Sequence, residues 1–182
     1  MPCLVIADCS IISAFVDIGC LGKLNHLLTL KRCKLIIPDL VLEEIRTKIT
    51  RSELRARLNF SVEKSKTLEI ERLRARFLSL GDGEIAVILS ALTRASRFGG
   101  TVFAGLDDRT ARRVAKELNI RVIGTLGLLK LMFDYKAISK KEFVAYCKTL
   151  QKIGFYFTGD LVAKLVQPRS SQQVKPTKFK VW

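Results

Sequence analysis

The chain has 182 residues, 48% hydrophobic and 27% charged, enough for one domain with a substantial core. Lys and Arg number 32 against 17 Asp and Glu, a formal charge of +15. That balance favours a polyanionic partner such as nucleic acid over an acidic protein or a membrane surface, with solubilising charge as the ordinary alternative. The single histidine, His26, argues against histidine-dependent triads and His-rich metal sites. Cys3, Cys9, Cys20, Cys33 and Cys147 include no Cys-x-x-Cys pair, so reduced thiols are expected rather than a disulfide scaffold or a zinc module. The apolar start has no basic leader and is interrupted by Asp8 and Asp17. No uncharged run approaches the roughly 18 residues of a membrane span. A cytoplasmic protein with no membrane partner is the expectation.

Cys3 to Ala7 reads as a short buried strand ending at Asp8, and Ser10 is placed to cap the helix that follows. That helix carries Ile11, Ile12, Ala14, Phe15 and Ile18 and stops at Gly19. Leu21 to Leu30 forms a second helix. Lys34 to Ile37 is the next strand, closed by Pro38. Asp39 then opens a helix that buries Val41, Leu42 and Ile45 and holds Glu44 in its first turns. From Arg46 to Arg76 the composition turns strongly basic, and segments of a helical hairpin are expected. Thr67 to Ile70 reads equally as a short edge strand.

Gly81-Asp82-Gly83 marks a turn, and Glu84 begins an apolar helix whose Ala86, Ser90 and Ala91 permit close approach to a sheet. Gly99-Gly100 ends it. Thr101 to Leu106 is a strand leaving through Asp107-Asp108, followed by a helix from Arg109 to Leu118. Arg121 to Ile123 is the last strand, and Thr125 caps a helix reaching about Asp134. The alternation of strands and helices with short connections implies right-handed crossovers and a parallel sheet between two helical layers, an α/β/α sandwich. Amphipathic helices follow Ile138. Residues 168–182, with four basic residues and no acid, read as a flexible basic tail carrying Phe179 and Trp182.

Four acids stand where a strand ends or a helix begins: Asp8, Glu44, Glu84 and Asp108. In a parallel α/β sheet the carboxyl ends of the strands share one edge, where ligands bind. Like charges gathered there are costly unless a cation joins them. Each acid alone has an ordinary alternative. Asp8 can simply cap a helix, Glu44 can be a solvated helix residue, and Glu84 and Asp108 can complement helix dipoles.

Taken together, Asp8-Cys9-Ser10, Pro38-x-x-Val41-x-x-Glu44, Glu84 with Ala91 seven residues on, and Leu106-Asp107-Asp108-Arg109 resemble the PIN-domain family of metal-dependent nucleases. The likeness covers about residues 3 to 130. Val122-Ile123-Gly124-Thr125-Leu126-Gly127 and the later Gly154-Phe155-Tyr156 look like a prokaryotic branch related to VapC-type toxins. The resemblance implies a PIN-like catalytic domain over residues 1–135, a helical extension over 136–167, and the tail.

It also implies a metal-dependent endonuclease acting on RNA. Asp8, Glu44, Glu84 and Asp108 would hold Mg²⁺ or Mn²⁺, with Asp82 and Asp107 as secondary candidates. Such ions activate a water for in-line attack on a phosphodiester. Ser10 would orient Asp8 or a water. Arg46, Arg51, Arg55, Arg109, Arg112 and Arg113 would contact the nucleic-acid backbone. The alternatives are a toxin restrained by an antitoxin and a catalytically inactive binding module. A homodimer is expected by resemblance.

Overall fold

The computed structural model describes residues 2–167. Five strands, β1 (Cys3–Ala7), β2 (Cys33–Pro38), β3 (Ser61–Glu63), β4 (Thr101–Gly105) and β5 (Arg121–Ile123), form one sheet in the order β3-β2-β1-β4-β5. Every neighbouring pair is parallel. The helices are α1 (Cys9–Asp17), α2 (Leu21–Leu30), α3 (Asp39–Ile45), α4 (Arg51–Arg57), α5 (Thr67–Arg76), α6 (Asp82–Ala95), α7 (Arg109–Glu117), α8 (Thr125–Asp134), α9 (Lys140–Lys152) and α10 (Gly159–Val166).

The central strands are apolar along nearly their whole length because both faces are covered. On one face α1, α2 and α8 pack together, with α9 stacked on α8. On the other, α6 crosses β1, β2 and β4 and is flanked by α5 and α7. Its buried Gly83, Ala86, Ser90 and Ala91 provide the small contact surface that the sequence suggested. The result is the expected three-layer α/β/α sandwich.

Winding direction locates the functional edge. From β1 the chain steps outward to β2 and β3, then returns across the sheet through α6 to β4 and continues outward to β5. Right-handed crossovers therefore require α6 and α7 on the face opposite α1 and α2, as observed. The direction of winding reverses between β1 and β4, so their connections diverge and leave a crevice at the carboxyl edge. The ladder runs into that crevice, where the Asp8 amide donates to the Gly105 carbonyl at 3.0 Å.

Several local expectations are corrected. Arg46 to Arg76 is not a helical hairpin: its edge strand is Ser61–Glu63, and Thr67 to Ile70 is helical. Val62 in β3 rests against the core at the open side of β2, a tertiary contact that outweighs the local charge pattern. Asp8, not Ser10, caps α1. The cap residue of α8 is Gly124, with Thr125 the first helical position.

Cys3 and Cys33 form a disulfide, against the expectation of reduced thiols throughout. They are register partners on adjacent parallel strands, with Cα atoms 4.4 Å apart. A separation of 30 residues hides that pairing in the sequence. Cys20 and Cys147 are buried thiols, pushed by desolvation to about 12 and about 11. They pack as small hydrophobes. Among the described residues no single helix is long and apolar enough to cross a membrane. The expected tail, with Phe179 and Trp182, lies outside the described residues.

Candidate functional site

Asp8 leaves β1 directly into α1 and is buried, at 6% exposure. Its Oδ2 accepts from the Ser10 amide at 3.2 Å and from Ser10 Oγ at 2.7 Å. Ser10 thus holds one oxygen of Asp8. Asp108 caps α7, its Oδ1 accepting from the Ala111 amide at 2.8 Å. Glu84 sits in the first turn of α6 and turns back, Oε2 accepting from the Gly81 amide at 3.0 Å. Three acids therefore stand at three helix N-termini, where unsatisfied amides favour negative charge.

Glu44 arrives differently, from the last turn of the seven-residue α3. The residue as a whole is exposed, but its carboxylate lies against Gly83 of α6 and accepts a hydrogen bond from the Gly83 amide. A Cβ built on Gly83 would lie 2.7 and 2.8 Å from the two Glu44 oxygens. The glycine is what lets the two segments meet.

Mutual electrostatic influence links the acids. Burial raises the Glu84 carboxyl above its usual range, the Gly81 amide opposes this, and the charges of Asp108, Asp8 and Glu44 raise it further. Glu44 is likewise raised by burial and then by Asp8, with the Gly83 amide opposing and Asp82 adding. One carboxylate thus senses three others drawn from segments separated by as many as 100 positions in the chain.

The secondary candidates are otherwise engaged. Asp82 forms an ion pair with Arg74 of α5. Asp107 turns toward the start of α8, where Oδ1 accepts from the Thr125 amide at 2.8 Å and Oδ2 from Thr125 Oγ1 at 2.5 Å. Burial raises its carboxyl, while Thr125 and then the Arg112 charge lower it. A Cβ on Gly124 would meet Asp107 Oδ1 at 2.7 Å and the Arg112 guanidinium at 2.9 Å. Asp107 therefore ties the end of β4 to α8, and the adjacent Asp108 is left to face Glu84.

The basic candidates divide. Arg109 and Arg112 line a groove of about 990 Å³ that begins at Asp107. Arg46 is paired with Glu43 at 2.5 Å, and Arg113 reaches Glu117 at 3.9 Å. Arg55 stacks over Phe60 at 4.9 Å, and Arg51 starts α4, which packs on α2 away from the crevice. The sequence reading missed Gly83 as the seat of Glu44 and Arg74 as the partner of Asp82. Its one available signal was the unusual pair of glycines flanking Asp82.

The sequence profile of the DUF3368 family, described as a PIN domain, matches residues 4–171. The chain belongs to the PIN-domain family. Its fold is of the nuclease type, and the match extends through α9 and α10. No curated protein and no solved structure matches the chain.

PIN nucleases typically use divalent metals, and the four acids form the donor set that such an ion would meet. It consists of carboxylate oxygens with no histidine, which suits a hard cation such as Mg²⁺ or Mn²⁺. Asp8, Glu84 and Asp108 each commit one oxygen to a local donor and leave the other without a hydrogen bond among the described residues. The side chains are not gathered into a closed cage. Among the described residues no three His, Cys, Asp or Glu side chains are arranged to hold a metal ion. The donor chemistry suits a hard cation, while the side chains among the described residues do not themselves form a closed site for one.

Proposed function

We propose that this PIN-domain protein is a Mg²⁺- or Mn²⁺-dependent endonuclease that hydrolyses phosphodiester bonds in RNA, with Asp8, Glu44, Glu84 and Asp108 as its ligand set. The observation that carries the reading is positional: Asp8, Glu84 and Asp108 stand at the starts of α1, α6 and α7, and Glu44 rests against Gly83 of α6, at the edge where the sheet reverses its winding. A bound divalent ion supplies Lewis-acid stabilisation of phosphoryl charge and a more acidic water. The chain's own part is positional. Ser10 fixes one oxygen of Asp8, and the Gly81, Gly83 and Ala111 amides fix Glu84, Glu44 and Asp108. Arg109 and Arg112, just beyond Asp108, are placed to hold backbone phosphates of a bound strand.

The test is cleavage of labelled RNA by the full chain with Mg²⁺, Mn²⁺ or EDTA. Metal-dependent scission that Asp8→Asn abolishes supports the proposal, and scission indifferent to Asp8→Asn refutes the assigned site. A second reading, a nucleic-acid-binding module without catalysis, draws on the open arrangement of the carboxylates. It predicts salt-sensitive RNA binding with no cleavage under either metal. A toxin would keep the first chemistry and add an antitoxin over the crevice. Copurification of a small partner encoded beside it would separate that case from a free-standing enzyme, and sedimentation would test the homodimer.

A further inference from the structure

The groove of about 990 Å³ beside the acids is not explained by the metal chemistry. One wall is the start of α7 and the face of α8, with Arg109, Arg112 and Lys130. The other is the segment between α9 and α10, with Phe155, Tyr156 and Phe157. We infer that this groove seats a single-stranded stretch of the nucleic-acid substrate next to the scissile bond, with Tyr156 as the surface on which a base stacks and Arg109 and Arg112 as the phosphate contacts. The choice of nucleic acid as occupant rests on the nuclease reading of the acids. The geometry of the seat stands on its own observations.

The aromatic segment is built rather than loose. Gly154, with φ of +101°, turns the chain at the end of α9, a conformation costly for a residue with a Cβ. The Phe155 amide then donates to the Leu150 carbonyl at 3.0 Å, and Gln151 Nε2 donates to the Phe157 carbonyl at 2.8 Å. Phe155 and Phe157 pack against the core, while Tyr156 between them is wholly exposed, at 105%. An aromatic ring held out on a pinned segment costs little further ordering when a base stacks on it.

Charge selects the same ligand. Arg109 is exposed and carries no ion pair among the described residues. Arg112 leans toward Asp107, but both oxygens of that acid are already taken by Thr125. Lys130 shares its charge with Asp134. The lining is otherwise mostly apolar, with Val122, Leu126, Leu131 and Leu165 in it, and to it Arg109 and Arg112 add positive charge and Tyr156 a ring face. Those are the two features that bind single strands with little dependence on sequence. Duplex nucleic acid keeps its bases stacked on each other and would use only the charged wall.

The experiment is equilibrium binding of a labelled RNA single strand of roughly 12 nucleotides, and of the same sequence in a duplex. It uses the full chain carrying Asp8→Asn, in EDTA, across a salt series. Tyr156→Ala is expected to weaken single-strand binding roughly tenfold, leaving duplex binding and the salt slope unchanged. Arg109→Ala is expected to lower the slope of log affinity against log salt by about one. Single-strand affinity unchanged by Tyr156→Ala, or single-strand and duplex affinities reduced alike, overturns the inference. Because binding is read without cleavage, a parent chain that never cuts RNA counts against the nuclease reading alone. Binding indifferent to Tyr156 counts against the groove alone.

Discussion

Gly83→Ala is the sharpest perturbation of the proposed site because it adds one methyl group and nothing else. The position is buried, helical and without a positive φ, so the backbone accepts alanine. Alanine is favoured over glycine by up to about 1 kcal/mol in a helix interior, and by less in a first turn. The nearest neighbours of the new Cβ are the Glu44 oxygens at 2.7 and 2.8 Å and its Cδ at 3.0 Å. To reach a contact of about 3.4 Å the carboxylate must retreat by roughly 0.7 Å, several times the ±0.2 Å tolerance of metal–ligand distances. Glu44 ends an exposed, flexible side chain, so it can swing into water at little cost to the fold. We therefore expect metal-free stability within about 1 kcal/mol of the parent, and Mn²⁺ affinity lowered about 10- to 100-fold. At a Mn²⁺ concentration about 100 times the parent Kd, a 100-fold loss removes most of about 2.7 kcal/mol of metal stabilisation. That is roughly 5–10 °C for a chain of this size. Thermal unfolding with and without Mn²⁺ reads both quantities. Equal metal-induced shifts in parent and variant would refute a ligand role for Glu44, and a metal-free collapse would show Gly83 to be a packing residue first.

Asp8→Asn keeps the cap on α1, since asparagine caps as well as aspartate, and removes a charge felt by Glu44 and Glu84. Metal-free melting is expected to hold or rise while cleavage disappears, and a marked fall in melting temperature without metal contradicts the charge argument. Asp107→Ala strands the buried Thr125 hydroxyl and amide, which should cost about 2 kcal/mol, or roughly 4–8 °C. Asp108→Asn should leave melting nearly unchanged and abolish metal response; the reverse ranking in a paired unfolding and Mn²⁺ titration would exchange the two roles. Glu44 and Glu84 are raised above the ordinary value of 4.5, so the folded chain holds more protons than the unfolded one just above that pH. Their contribution to stability is full below 4.5 and lost as pH rises through the raised values. In EDTA, the stability of the parent relative to Glu44→Gln/Glu84→Gln should fall across that window, and a flat or rising difference would contradict it.

The fold was legible where pattern and burial coincide. Cys3 to Ala7, Leu35 to Pro38 and Val102 to Gly105 are uninterrupted apolar runs because both sheet faces are covered, and β-α alternation then dictates parallel strands. It was not legible at Ser61–Glu63, a three-residue edge strand between basic helices, where pairing with β2 decides and local composition does not. Among the acids, the convergence of four segments followed from the rule for strand ends. Asp107 turns toward Thr125 while Asp108 keeps one oxygen free of hydrogen bonds among the described residues, the difference on which the proposed choice of Asp108 rests. The seat of Glu44 was hidden, because a glycine's value to a neighbour 39 positions away is a matter of missing volume, which no local pattern encodes.

The distribution of helix termini explains how four carboxylates gather before any cation arrives. Repulsion within the cluster is opposed by the N-termini of α1, α6 and α7, each giving backbone amides to one acid. Glu44 lacks such a terminus of its own, since it leaves the carboxyl end of α3, where the helix field disfavours an anion. It borrows the amide of Gly83 instead, so the first turn of α6 serves Glu84 and Glu44 at once. Both of these acids are nonetheless raised, so the amides offset burial and mutual repulsion only in part. On the proposed reading, a divalent cation held by these four acids would relieve the repulsion that remains, above all at Glu84, which burial and then the charges of Asp108, Asp8 and Glu44 all raise.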